Sequence, residues 1–381
     1  MKRIKRGVAL FERVADGQYF IGTRKRAAPL TTPAERVIAR EMIRGASEDQ
    51  LLGNSDARPL EIQNTLAELA HHHLLDTKQS TLRLSKRFIS KVDHRARKNS
   101  RPESDAAFAQ LQRRVAPELT QITWIAGVHD AGIEVLSARQ NYLVEISGSD
   151  RVATLLYPIL LSSGLSHARF TPNSRGRQVH IGDLDIAVSG FKASEIGFSF
   201  AKECEDRRRD YSLFPIDRDE NYLDEISTPD LKVHCGEIDP EQLSLWMSSG
   251  QPFLHIPAPL ADRGQVGPLV IPGKTPCLRC AQLLEEEHTG ISYSQPLRFE
   301  SEDFPQVAAH FIAALAASQI LRFCDWQTMY GALTAESDSK KYQEKLVGDE
   351  ITGKIISIDY QFLEVPEVVA ITRHPLCGCA F

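Results

Sequence analysis

Gly267-Pro268-Leu269-Val270-Ile271-Pro272-Gly273-Lys274-Thr275-Pro276-Cys277-Leu278-Arg279-Cys280 is the stretch that organises the chain. A short apolar run, Leu269 to Ile271, meets a Pro-Gly turn and then a C-x-x-C knuckle. A second pair, Cys377-Gly378-Cys379, follows His374-Pro375-Leu376. Two tight thiolate pairs, each placed in a turn by Gly or Pro, supply the four sulfur ligands that a tetrahedral Zn²⁺ takes. Zinc held by Cys277, Cys280, Cys377 and Cys379 would join segments about a hundred positions apart and close a long loop.

The knuckle G-P-L-V-x-P-G-x-T-P-C-L-R-C followed by H-P-x-C-G-C resembles the ThiF-like proteins of azole-forming peptide clusters, the thiazole/oxazole-modified microcins. The resemblance covers roughly residues 137–381 well and the N-terminal part more loosely. It implies an α/β fold: a ThiF/MoeB-type Rossmann-like domain, here degenerate, with a four-cysteine zinc site. A small winged-helix, PqqD-like unit is expected to precede it. The implied organisation is residues 1–85 as a peptide recognition element, 86–136 as a basic linker and bridging helix, and 137–381 as the ThiF-like domain.

Composition excludes several classes. Hydrophobic content of 42% and charge of 25% are ordinary for a globular protein, and net charge of −5 argues against a whole-chain nucleic-acid binder. No apolar run reads as a membrane span, and Met1-Lys-Arg-Ile-Lys-Arg is not followed by a signal-peptide core. Seven cysteines, four of them in tight pairs, fit metal binding in a reducing cytoplasm better than a disulfide framework.

From the N-terminus, Gly7–Glu12 and Gln18–Gly22 flank an Asp16-Gly17 turn and read as a hairpin. Thr32-Pro33-Ala34-Glu35 is a capping box that starts a helix carrying Ala34, Val37, Ile38 and Met42 on one side. A short helix follows Ser47. Pro59 to His73 forms a third, with Ile62, Leu66, Leu69 and His73 in one stripe, and Ser80–Leu84 is the expected wing. The third helix has no Arg or Lys, which makes it a poor phosphate reader, so peptide capture at a sheet edge is the reading preferred over DNA binding. His71-His72-His73 reads as a cationic helix end, because adjacent helical residues point about 100° apart and three in a row do not easily share one ion. Residues 83–101 hold eight Lys or Arg against the single Asp93. They form a solvated stretch, or an attraction for an acidic leader.

Ser104 to Val115 reads as a bridging helix, and Tyr142–Ile146 as a buried strand. A turn, a helix to Ser163 and a strand at His167–Phe170 then complete the opening of a Rossmann unit. Further strands are expected near Gln178–Ile181, Leu231–Gly236, Phe253–Pro257, Lys354–Gln361 and Pro366–Arg373. Helices are expected over Glu241–Ser248 and Val307–Phe323, and a polar loop over Ala332–Glu350.

The phosphate-binding chemistry of an active ThiF/MoeB enzyme is eroded. Of a G-x-G-x-x-G turn only Gly148 survives, and Asp150 and Arg151 occupy the turn. Asp185 keeps an acidic strand end. Gly190-Phe-Lys-Ala-Ser194 replaces the family's Asn-x-x-Arg-Gln, and Phe200 stands where its lysine falls. His234-Cys235-Gly236-Glu237 replaces the Asp-x-x-Asp magnesium motif, leaving Glu237 as the one carboxylate. Gly148, Asp185 and Glu237 therefore mark a degenerate nucleotide site, no catalytic residue is assigned, and ATP is not an expected cofactor. Cys204 stands in Lys202-Glu-Cys-Glu-Asp206, an acidic setting unsuited to an activated nucleophile, and Cys235 and Cys324 read as packing residues.

The expected function is a leader-peptide-binding scaffold presenting a ribosomal precursor to a separate YcaO-type cyclodehydratase. It is expected in the cytoplasm as a homodimer, with neither membrane nor nucleic acid as partner. The alternatives are an active ThiF-like adenylyltransferase and a winged-helix regulator.

Overall fold

The computed structural model describes residues 2–54, 58–83, 102–125, 127–148, 150–180, 190–214, 228–260, 262–290, 303–331 and 352–379. Asp185, Leu84, most of the basic stretch after Arg83 and the Ala332–Glu350 loop lie outside them. The chain divides into two compact units, Met1–Ser137 and Ala138–Phe381.

In the first unit β1 (Arg3–Ile4) precedes a three-stranded antiparallel meander of β2 (Ala9–Glu12), β3 (Tyr19–Gly22) and β4 (Ala27–Leu30). The turn read at Asp16-Gly17 does join β2 to β3, with Asp16 hydrogen-bonded to Arg13 and to the Gln18 amide. The third strand, β4, was hidden because Ala27-Ala28-Pro29-Leu30 has no β-branched residue. Then come α1 (Pro33–Ile43), α2 (Glu48–Asn54) and α3 (Pro59–His71). Both halves of the α1 capping box form, Thr32 Oγ1 accepting from the Glu35 amide at 3.1 Å and Glu35 accepting from Thr32 N at 3.1 Å. Ile38, Ala39 and Met42 face the core, whereas Val37 is exposed. Helix α1 packs on β2 and β4, and α3 packs on α1 through a face bearing Ile62, Leu66 and Leu69.

Two expectations fail here. His73 is not on the α3 stripe, because the helix ends at His71 and His73 turns out with φ +57°. Residues 80–83 of the expected wing form no strand; the chain after α3 instead gives β5 (Leu75–Asp76), which pairs with β1. The long helix α4 (Pro102–Ile122) and α5 (Ile133–Arg139) follow.

The second unit is built on a five-stranded sheet in the order β11-β9-β8-β6-β7. Its members are β6 (Leu143–Ser147), β7 (His167–Phe170), β8 (Leu231–Cys235), β9 (Phe253–Ile256) and β11 (Leu269–Val270). The first four are mutually parallel, and β11 runs antiparallel on β9. Helix α6 (Arg151–Ser162) links β6 to β7 and is buried nearly all round, matching its continuous apolar run. After it come α7 (Pro172–Arg175), α8 (Phe200–Tyr211), α9 (Pro240–Ser249), α10 (Leu278–Thr289) and α11 (Gln306–Gly331). A second antiparallel sheet orders β10 (Arg263–Val266), β12 (Lys354–Asp359) and β13 (Glu367–Ala370). Gln178 makes only an isolated bridge to Ser199, not the expected strand.

Helix α11 passes the length and apolarity test for a membrane span over Gln306–Met329, contrary to the sequence reading. Its Ala308, Ala309, Ile312, Ala313, Ala316 and Ile320 are buried, and it packs on α6 and β10 rather than broadly on the parallel sheet. Gly264 of β10 permits that approach: a Cβ there would lie 2.3 Å from Ile312 Cδ1. A buried bidentate pair ties α5 to α11, Arg139 donating from Nε and Nη2 to Asp325 at 2.7 Å each, and from Nη1 to Ser163 O at 2.8 Å.

Candidate functional site

The knuckle residues fold as their chemistry requires. The Thr275 hydroxyl accepts from the Ile271 amide at 2.8 Å and so closes the Pro272-Gly273 turn. Cys277 then caps α10, and Cys280 lies in its first turn. The second pair arrives after β13, where Arg373 donates to Gly273 O at 2.7 Å and His374 meets Glu287 at 2.8 Å. The four sulfurs converge: Cys277–Cys377 at 3.3 Å, Cys280–Cys379 at 3.4 Å and Cys277–Cys280 at 3.8 Å. Four thiolates about 2.3 Å from one tetrahedral centre stand about 3.8 Å apart, so the cluster is close to the required size.

All four cysteines are free thiols, and one ligand atom from each falls within 4.8 Å of the others, so together they could hold a metal ion. Trp246, Phe253, Val270 and Ile371 form an apolar shell around them. Burial pushes the Cys280 thiol up, but donation from the His374 and Cys277 amides and the neighbouring thiols outweighs it and brings the group down to about 7. Burial, joined by sharing with Cys280, raises Cys379 to about 11 and raises Cys377 as well. One thiolate forms readily and resists a second beside it, which is the charge problem that a divalent cation resolves.

The carboxyl ends of β6 and β8 form the switch point of the sheet, because the chain leaves β6 towards β7 on one side and returns as β8 on the other. Gly148 and Glu237 are brought to these neighbouring strand ends; Asp185 lies outside the described residues. Gly148 has φ +123°, and a Cβ on it would sit 2.6 Å from Cys235 O, so the turn lies directly against the end of β8. Asp150 caps α6, its carboxylate accepting from the Ala153 amide at 2.7 Å. Arg151 turns to donate to Phe304 O at 2.9 Å.

Sequence reading missed the polar contacts that fill this crevice. Parallel register sets Ser147 beside His234 and His234 beside His255. His234 Nε2 lies 2.7 Å from Glu237 O, which assigns it the proton and leaves Nδ1 to accept from Ser147 Oγ at 2.8 Å. His255 Nε2 likewise donates to Gly236 O at 2.9 Å. Burial lowers His234 and holds His255 down at about 4. Two neutral imidazoles thus staple the Gly236-Glu237 turn. No local pattern signals this row, because it arises only when three strands align in parallel register.

Phe191 and Phe200 are buried and stacked at 5.1 Å, and Lys192 is exposed. The Arg207 guanidinium lies over Phe191, and Arg177 over Phe200. Cys204, Cys235 and Cys324 are buried, and burial raises the thiols of the last two well above the ordinary range, so neither is an activated nucleophile.

In the first unit, Glu68, His71 and His72 each place a ligand atom within 4.8 Å of the others. His73, the third histidine of the run, is not among them. His72 is the residue after the last helical one, so its ring swings back to meet Glu68 at 3.2 Å.

No family model matches the sequence, and no curated protein matches it. Solved structures do. E. coli MccB in its structure with ATP superposes with a TM-score of 0.63 at 15% identity, over 100% of this chain and 99% of that one. The microcin C7 biosynthetic enzyme MccB in complex with N-formylated MccA gives 0.59 at 14%, with the same coverage. PaaA gives 0.62 at 12%, over 97% of this chain and 100% of its own. The likeness runs the full length of the chain and bears out the ThiF-like fold.

Proposed function

We propose that this chain is a cytoplasmic leader-peptide-binding scaffold of ribosomal-peptide natural-product biosynthesis, and that its ThiF-like domain does not adenylate. The observation that carries this reading is the crevice at the β6 and β8 ends. A capping carboxylate, two stapling imidazoles and a stacked Phe pair stand where phosphate chemistry needs backbone donors, cations and paired magnesium ligands.

The peptide would be held by the first unit. Of the two meander edges, β4 contains Pro29, which lacks a donor, whereas β2 offers an edge with Phe11 39% exposed. An extended leader adds there as a further strand, beside α1. That MccB has been solved with the MccA peptide supports a peptide ligand. The partner is a separate ATP-using cyclodehydratase of the YcaO type, and two copies of the chain form the working dimer. The four cysteines take Zn²⁺, and the site is structural because all four positions are thiolates and none is left for substrate.

A second reading, an active adenylyltransferase, is favoured by the full-length likeness to MccB, including its structure with ATP. Pyrophosphate exchange with Mg-ATP and the neighbouring-gene precursor separates the two. The scaffold reading expects background exchange. A robust rate abolished by Glu237→Ala would establish the enzyme instead.

A further inference from the structure

Besides the four cysteines, one group of metal-ligating side chains comes together among the described residues, at the last turn of α3. Its members, Glu68, His71 and His72, follow an E-x-x-H-H spacing. At about 100° per helical residue, His71 projects about 60° to one side of Glu68 and His72 about 40° to the other. The carboxylate therefore stands between the two imidazoles. Neighbouring histidines that diverge from each other both converge on it.

The distances suit an ion. His72 Nε2 lies 3.2 Å from Glu68 Oε1. Two ligand atoms about 2.1 Å from one metal, at octahedral or tetrahedral angles, stand about 3.0–3.4 Å apart, so this pair already has the separation of adjacent ligands. The His71 ring lies edge-on to that of His72, with centroids 5.2 Å apart. It is exposed and has no hydrogen bond among the described residues, so it is free to rotate onto the same ion. A simple Glu68–His72 ion pair has no use for His71, and there the two readings part. Electrostatics favour a cation as well. Glu68 brings a full negative charge and the carbonyl end of α3 a partial one, while the helix carries no Lys or Arg to repel the ion. The turn beyond gains by being held. It is closed by amides of His72, His73 and Leu74 donating to Glu68 O, Ala70 O and Leu69 O, with His73 in the left-handed region at φ +57°.

We propose that Glu68, His71 and His72 bind one divalent transition-metal ion, Zn²⁺ or Ni²⁺, with its remaining positions open to water, and that the ion clamps the exit from α3 towards β5. Two imidazole nitrogens select such ions over Mg²⁺ and Ca²⁺, which take oxygen ligands. The site shares no ligand with the four-cysteine cluster and stands independently of the peptide-binding reading.

The test uses the full chain with zinc supplied to its cysteines and Ni²⁺ as the probe, the two metals being counted separately after equilibrium dialysis. One nickel ion per chain should bind with zinc retained, and excess Mg²⁺ should not displace it. Hydrogen exchange at the His72, His73 and Leu74 amides should slow when nickel is added. Glu68→Gln, His71→Gln and His72→Gln should each weaken nickel binding by about tenfold or more, whereas His73→Asn should leave it unchanged. None of these four side chains is buried, so the variants keep the fold. Unaltered binding in His71→Gln would reduce the group to an ion pair and overturn the proposal. Displacement by Mg²⁺, an equal loss in His73→Asn, or nickel taken up only as zinc leaves would overturn it too.

Discussion

Removing metal from the four-cysteine cluster should destabilise the second unit by a calculable amount. A ligand that binds only the folded state at a thousandfold excess over its Kd stabilises by about 4.1 kcal/mol. The structure gives an independent figure: Cys277 and Cys377 are 100 positions apart, and cross-linking a loop of that length is worth about 4.7 kcal/mol by chain entropy. In a unit the size of Ala138–Phe381, each kcal/mol moves the midpoint by about 2–4 °C, so a drop of about 8–16 °C is expected. Scanning calorimetry of the full chain, with metal content measured before and after chelation, reads it directly. Reductant must be present throughout, because thiols 3.3–3.4 Å apart would otherwise oxidise and replace one cross-link with another. Cys377→Ser should reproduce the drop without chelator. A chain shown to lose one zinc ion with its midpoint unmoved would refute the structural role.

Asp325→Ala should cost about 3–5 kcal/mol in urea unfolding, because it strands the buried Arg139 guanidinium; Arg139→Met with Asp325→Leu should recover most of that. Stability should fall as pH drops from 6.5 towards 4. His255 titrates at about 4 when folded, so between these values the unfolded chain takes up the proton first; His255→Asn should flatten that part of the profile. Gly148→Ala should lower stability by about 1–3 kcal/mol, since its Cβ would collide with Cys235 O at a left-handed φ, and thermal melting reads the change.

Local signals in the sequence were reliable where one interaction decides the outcome. The Thr32–Glu35 capping box and the Asp16-Gly17 turn rest on chemistry confined to a few neighbours, and the two cysteine pairs were legible because each is a tight local motif with a single chemistry, although they meet across 100 positions. Less legible were features set by distant partners. Strand β4 forms because β3 offers it an edge, and the pairing after α3 goes to Leu75–Asp76, against β1, rather than to residues 80–83 of the expected wing. The Ser147–His234–His255 row exists only once three strands align in parallel register, so no local pattern announced it. Likewise, α11 read as an ordinary helix until its length was seen, and its apolar surface is explained by α6 and β10 lying on it. The buried Lys5 ammonium gives two of its three donors to the carbonyls of Thr123 and Val128, more than a hundred residues away, which no local pattern announces.

The most direct measurement is calorimetric titration of the metal-loaded full chain with the precursor peptide encoded beside it, first without nucleotide and then with Mg-ATP. A peptide-binding scaffold predicts saturable binding at one peptide per chain, unchanged by nucleotide, with no AMP appearing on the peptide by mass spectrometry. Binding that requires ATP, or a peptide that leaves the cell carrying AMP, would contradict it.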